Sequence, residues 1–364
     1  MEKGSSLAER EQAATVLVFD PVRTAAWLIC LIIIIALLVV GRPLLVPLSI
    51  AFLVWVLLDA IRVAMIRFAA GKFPLPRSLA TIGAIALVVV ANYLVVSIVA
   101  GQIDAVRAAI PMYQENFAAI TGQFVATIGI DELPSVQSML QQLDFAAVLT
   151  WIGDSVSGLF ADIILIAVYV GFLLGEENIL PAKLKLLQRD QERGDQIVNV
   201  VNSISVSVQR YIGMKTLVSA LTALISYGVL KIVGVDFAEI WALLIFFLNF
   251  IPNIGSILGV AFPALLTLVQ FDTFGPFFIV AVGLGAVQFV IGNIIEPAYM
   301  GKSLNLSSLM ILISLTFWGF VWGLPGMFLS VPIMVVVAIV CAHVEGLRWL
   351  SIVLSGTEQQ IVDK

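Results

Sequence analysis

Asn249-Phe250-Ile251-Pro252-Asn253-Ile254-Gly255 stands inside residues 240–271, a run of 32 positions without Lys, Arg, Asp or Glu. As one helix this run would measure about 48 Å, well beyond a hydrocarbon core of roughly 30 Å. Proline removes a backbone donor and blocks the helix before it, and Asn and Gly accept turn conformations. Each arm is then some 12 to 16 residues, roughly 18 to 24 Å, too short for a comfortable crossing. The expectation is a re-entrant helical hairpin opening from outside.

A second run, 303–344, extends for 42 uncharged positions, with Trp318-Gly319-Phe320-Val321-Trp322-Gly323-Leu324-Pro325-Gly326 near its middle. Its arms, about 20 and 16 residues, leave a hairpin and two short helices both open, and either returns the chain to the side it left. In order, the second half reads as a span (216–233), a broken pair from outside, a span (273–294) and a broken pair from inside. Such inverted repeats with discontinuous helices recur in secondary transporters, where broken tips meet near the midplane. Broken backbone within lipid is costly unless it faces protein or water, so the breaks mark a cavity.

Further out, charge is also absent from residues 24–41, 43–58 and 78–103, within 364 residues that are 61% hydrophobic and 12% charged. Mean hydropathy is +1.08. A soluble chain is excluded, and the fold class expected is an all-α polytopic membrane protein with about six full spans plus two oppositely oriented hairpins. The net charge of −5 comes without a basic block, so no nucleic-acid partner is expected. The first run lacks a small-x-small cleavage site before Arg42 and reads as an uncleaved span.

Arg62, Arg67, Lys72 and Arg77 against Asp59 place the loop after the second run in the cytoplasm. Residues 102–150 carry Asp104, Glu115, Asp131, Glu132 and Asp144 against Arg107, with Pro111 and Pro134, and read as an outer insert of short helices. The fourth span is interrupted by Asp162. Lys183, Lys185, Arg189, Arg193, Arg210 and Lys215 return the chain inside, leaving both termini cytoplasmic. There Ile197, Val200, Val201, Ile204, Val208 and Tyr211 mark an amphipathic helix. The expected organisation is 1–101 (tail and spans one to three), 102–150 (insert), 151–175 (span four), 176–215 (amphipathic segment), 216–344 (transport core) and 345–364 (tail).

Polar residues gather at the breaks. Asn249 and Asn253 flank the first tip, and Gln288, Gly292 and Glu296 follow at four-residue steps with Asn293 beside them. The leading expectation is that Asn249, Pro252, Asn253, Gly255, Gln288, Asn293, Gly323, Pro325 and Gly326 form a site for a small polar substrate. Donors and acceptors there would replace water around its hydroxyl groups. Glu296, and Asp162 in the fourth span, are candidates for ion or proton coupling; for Glu296 the structural reading, a partner of Lys302, is favoured, since functional acids usually lie deeper. A passive channel or oligomeric scaffold whose hairpins only pack stands as a third reading.

The same residues carry a family likeness. Phe250-Ile251-Pro252-Asn253-Ile254-Gly255 with Gly259 and Pro263 resembles the first hairpin signature of the autoinducer-2 exporter family of bacterial inner-membrane permeases. Glu296-Pro297, Gly301-Lys302-Ser303-Leu304 and Trp318-Gly319 through Pro325-Gly326 to Pro332 resemble its second. The resemblance covers most of the chain and implies a multi-pass bacterial inner-membrane exporter with two opposed hairpins. It also implies a homo-oligomer, expected as a pentamer, that moves substrate by an elevator-like step. Members resemble exporters of the quorum-sensing signal autoinducer-2 or sodium (lithium)/proton antiporters, and no motif here separates those substrates.

Enzyme readings fail on inventory. His343 is the single histidine, without a positioned nucleophile or a zinc-binding motif. Gly301-Lys302-Ser303 lacks the glycine five residues earlier that a phosphate loop requires, since Glu296 stands there, so ATP-driven transport is unsupported. Intramembrane aspartyl proteolysis needs two deep acids, and only Asp162 interrupts an apolar stretch. Cys30 and Cys341 read as small hydrophobes, and Trp27, Trp151, Trp241, Trp318 and Trp349 as span ends or hairpin filling. No cofactor and no metal are expected.

Overall fold

The computed structural model describes residues 21–69, 75–128, 162–177, 179–180, 182–183, 191–300 and 306–356. Lys72, Trp151, Lys185, Arg189, the insert beyond 128 and the Gly301-Lys302-Ser303 loop lie outside these residues. The described chain is helical, with a lone antiparallel bridge between Leu306 and Ser355. Five helical segments among the described residues are long and apolar enough to cross a membrane: Arg42–Ala69, Arg77–Asn116, Ile197–Val233, Gly275–Tyr299 and Leu324–His343. This is an all-α polytopic membrane protein, as its charge-free runs foretold.

The chain divides into two compact units at Pro47. The first unit holds α1 (Pro21–Val40) and the opening of α2 (Arg42–Ala69), with Gly41 donating to the Leu37 carbonyl and the Gly41 carbonyl accepting from Leu45. Leu28, Ile32 and Leu37 of α1 are exposed, as suits a helix bathed in lipid.

In the second unit, the rest of α2, α3 (Arg77–Ile128) and α4 (residues 162–176) share a core of Ala51, Leu58, Ala84 and Val170. Arg62 donates to both Glu177 carboxylate oxygens, at 3.1 and 2.6 Å, and also pairs with Asp59; Arg77 adds a bond of 2.7 Å. Burial works against charge on Glu177, but the hydrogen bond and charge of Arg62, then those of Arg77, outweigh it and hold the carboxyl below its usual range. Residues from the two expected inner loops thus meet in one clasp.

Two boundaries differ from the sequence reading. The third span does not give way to short helices at 102, because α3 continues through Pro111 for 52 residues, about 78 Å. Its far stretch is held from the side: Gln102 donates to Glu239, Tyr113 to Asp236, and Asn116 to the Val269 carbonyl. Likewise the amphipathic segment and the span from 216 are one helix, α5 (Gln191–Val233), of 43 residues. Gly101 and Pro111 in α3, and Gly213 in α5, are carried within the helices without ending them, and the far stretch of α3 is fixed by its bonds to Glu239, Asp236 and Val269.

The chain then runs through α6 (Ala238–Leu248), α7 (Ile254–Gln270), α8 (Gly275–Val290), a π-turn (Ile291–Ile295) and α9 (Glu296–Met300). Next come α10 (Ser308–Trp322), α11 (Leu324–His343) and α12 (Arg348–Leu354). Helices α5 to α8 enclose a core of Leu230, Val235, Ala238, Ile245, Ala264, Val280 and Leu284. The second pair has arms of 15 and 20 residues rather than 20 and 16, because α10 begins at Ser308 and the turn falls at Gly323. Its longer arm, α11, therefore has the length of a full span.

Candidate functional site

The first break, between α6 and α7, is built by backbone chemistry. Asn249 closes α6, Pro252 follows within the turn, and Asn253 enters α7 with φ 60° and ψ −55°, the strained centre of a γ-turn in which the Ile254 N–H donates to the Pro252 carbonyl at 2.6 Å. Gly255 is buried where a Cβ would overlap the Leu248 carbonyl oxygen, so only glycine lets the arms close. The second break needs one residue: Gly323 at φ 69° and ψ −144°, followed by Pro325 in the first turn of α11. Gly326 is again buried where a Cβ would overlap a carbonyl oxygen, that of Trp318.

The tips meet through aromatic faces. Phe250 stacks on Phe328 with ring centroids 4.5 Å apart and planes 28° from parallel. Trp318 and Trp322 lie 4.7 Å apart behind the second tip. Gly323, Pro325 and Gly326 therefore shape an apolar partner for the first hairpin, and the nearby polar bond is Ser314 to the Ser330 carbonyl at 3.1 Å.

The expected amides divide into two groups. Asn249 is buried and donates to Ser219 Oγ of α5 at 3.0 Å. Gln288 is 7% exposed, and its Nε2 has no hydrogen-bond partner; it lies 3.4 Å from where a Cβ on Gly259 would sit. Asn253 is exposed at the tip. Asn293 is exposed too and donates to the Phe289 carbonyl of its own helix at 3.1 Å. Of the nine expected residues, Pro252, Asn253, Gly255, Gly323, Pro325 and Gly326 build the two tips, Asn249 and Gln288 are buried amides, and Asn293 stands apart, bonded to its own helix.

Glu296 is bonded to Lys215 of α5 at 2.6 Å, with side chains 19% and 7% exposed. Lys302, its expected partner, lies outside the described residues. Pro297 supplies no N–H, and the turn before it widens so that the Glu296 N–H reaches the Ile291 carbonyl, five residues back. Asp162 opens the described part of α4, half-buried.

Sequence reading missed the face of α5 behind the first hairpin. Lys215, Ser219, Thr222 and Ser226 are all buried, at steps of four, three and four residues that place them on one helical face. That spacing was visible, but small polar residues in an apolar run show no direction until a partner helix is known. At the hairpin mouth, Gln270 donates to the Gly234 carbonyl and accepts from the Asp236 N–H, while Glu239 receives Lys231, Gln102 and Tyr227. Among the described residues no cluster of His, Cys, Asp and Glu could hold a metal.

Interrupted apolar helices whose tips pack together among full-length spans, backed by a buried unpaired amide, are the architecture of a membrane transporter. The chain belongs to the AI-2E family of transporters, whose sequence model matches residues 28–346. It is similar to the AI-2 transport protein TqsA of Escherichia coli (strain K12), 30% identical over 327 residues, 88% of this chain and 92% of that protein. A putative transport protein of Borreliella burgdorferi is 31% identical over 254 residues, 68% of each chain. The putative transport protein YhhT of Escherichia coli (strain K12) is 33% identical over 223 residues, 60% of this chain and 63% of that one.

Proposed function

We propose that this protein is a secondary-type transporter, not an enzyme, that exports a small uncharged polar metabolite across the bacterial inner membrane, with autoinducer-2 as the leading substrate. The observation that carries the reading is Gln288, a buried amide with an unpaired Nε2 set directly behind the glycine-lined arm of a broken helix. A hydroxyl-rich solute offers what that group lacks. The similarity to a protein named for AI-2 transport supports the same substrate.

In this reading the two pairs are re-entrant hairpins of opposite orientation. They move together past α2 to α4 in an elevator-like step, within a homo-oligomer such as a pentamer embedded in the bilayer, with both termini in the cytoplasm. The meeting of basic-loop residues in the Arg62–Glu177 clasp, and of acidic-segment residues with the mouth of the first hairpin, supports this sidedness. The test is release of labelled autoinducer-2 from proteoliposomes containing the purified full chain. Saturable release that falls at least tenfold in Gln288→Leu is expected; release linear in gradient, or unchanged by that substitution, rejects the carrier.

A second reading is sodium (lithium)/proton antiport, and the buried Lys215–Glu296 pair favours it, since an exchangeable carboxylate with a fixed counter-charge suits a coupling site. It requires cation-linked proton flux, read with a pH-sensitive dye, that disappears in Glu296→Gln or Asp162→Asn.

A further inference from the structure

Ser226 Oγ, Trp241 Nε1 and Gln288 Nε2 are each shut off from solvent and without a hydrogen-bond partner. Ser226 is fully buried. A buried polar group left unpaired weakens a fold, so three such groups call for an explanation. All three can donate: the indole N–H and the amide NH2 only donate, and the serine hydroxyl carries a proton free to turn. None bears charge.

Helix register places them on one level. In the antiparallel pair α5 and α6, Ser219 bonds Asn249 and Tyr227 bonds Glu239, so position 226 lies level with Trp241. In α5 and α8, a Cβ on Gly283 would lie 3.0 Å from Val229, and Lys215 bonds Glu296, so Gln288 lies level with positions 223–224. Along the helix axes the three residues thus stand at heights within about one turn of each other. The neighbouring Thr222 hydroxyl is spent on the Val218 carbonyl at 2.8 Å.

We propose that Ser226 and Trp241 join Gln288 in an uncharged, donor-rich subsite that grips the oxygen acceptors of an uncharged solute. This inference rests on the transport reading and deepens it by naming two further binding residues and a rule of selection. A cation finds no negative charge on these three side chains, and the acceptors they carry, the Ser226 hydroxyl and the Gln288 amide oxygen, are too few to replace its water. An anion finds no free counter-charge on this level, because the lysine of the stripe, Lys215, is already bonded to Glu296.

The experiment uses the full chain in proteoliposomes with labelled autoinducer-2 as the probe, comparing wild type, Ser226→Ala, Ser226→Thr and Trp241→Phe. The expected result is a KM raised about tenfold in Ser226→Ala and in Trp241→Phe, with kcat changed far less, and recovery in Ser226→Thr, which keeps the hydroxyl. Without substrate, Ser226→Ala should melt at the wild-type temperature or above it, because it deletes an unpaired buried donor. The stability readout is taken from serine alone, since Trp241→Phe also shortens a packed ring. Unchanged KM in both variants beside saturable wild-type release overturns the subsite and leaves the transport reading standing. A lowered melting temperature in Ser226→Ala assigns the hydroxyl to structure and overturns it as well. Failure of saturable release in the wild type overturns both.

Discussion

The two helical pairs solve one backbone problem in the same way and then diverge. In each, a glycine at the start of the second arm sits where any Cβ would strike a carbonyl of the first, from Leu248 at Gly255 and from Trp318 at Gly326. The first pair has arms of 11 and 17 residues joined by a turn holding Pro252 and Asn253, and it is backed by the polar face of α5. The second has arms of 15 and 20 residues joined at Gly323, and its tip is filled by Trp318 and Trp322. Tight closure is thus a backbone requirement common to both pairs, whereas polar backing belongs to the first, where a solute's oxygens would find donors.

The comparison breaks soonest at the shared glycines. Gly255→Ala and Gly326→Ala should each destabilise the protein by about 4 kcal/mol or more, because backbone cannot yield as a side chain can. Thermal inactivation in detergent checks this; a tolerated Gly326→Ala beside a ruinous Gly255→Ala would end the equivalence of the two closures. Next in size is the buried ion pair. Lys215→Met leaves Glu296 uncompensated and should cost about 3 to 5 kcal/mol, with much of it recovered in the double variant Lys215→Met with Glu296→Gln. Equal losses in the single and double variants would show that packing, not charge, holds α5 to α9.

The turns themselves separate the pairs by a smaller amount. Gly323→Ala forces a side chain into φ 69° and ψ −144° and should cost about 1 to 3 kcal/mol. Asn253→Gly relieves the corresponding strain in the first turn and should be neutral or stabilising by up to about 1 kcal/mol. Melting curves of both variants test the contrast, and destabilisation by Asn253→Gly would assign that exposed amide a role beyond the turn.

The smallest effect serves as a control outside both pairs. Glu177 has a folded pKa below its ordinary value, so its contribution is present above the unfolded pKa near 4.5 and is lost as pH falls through the lower folded value. Inactivation temperature should drop as pH falls below the unfolded value near 4.5, and Glu177→Gln should flatten part of that slope. An unaltered slope would move the acid-sensitive contact away from the α2–α4 clasp.

The spans and the two breaks were legible because they follow from local facts: charge-free length, a proline without a donor, a glycine without a Cβ. The clamping of α3 through Pro111 was not legible, since nothing near Gln102 announces that Tyr113 reaches Asp236. The amides were noticed as a set, yet Asn249 turns to α5, Gln288 stays buried and unpaired, and Asn293 bonds its own helix. Lys215 read as one more inner-loop cation, and only the antiparallel packing of α5 on α8 delivers it to Glu296.

Sequence by itself determined that this chain lies in a membrane, which runs are apolar helices and where the two pairs break, because hydrophobic length and backbone freedom are properties of short segments. Tertiary structure alone decided that Phe250 would stack on Phe328 and that Ser226, Trp241 and Gln288 would be buried without hydrogen-bond partners. Those outcomes depend on the register between helices distant in sequence, which is set by how whole faces pack and not by any residue's own preference.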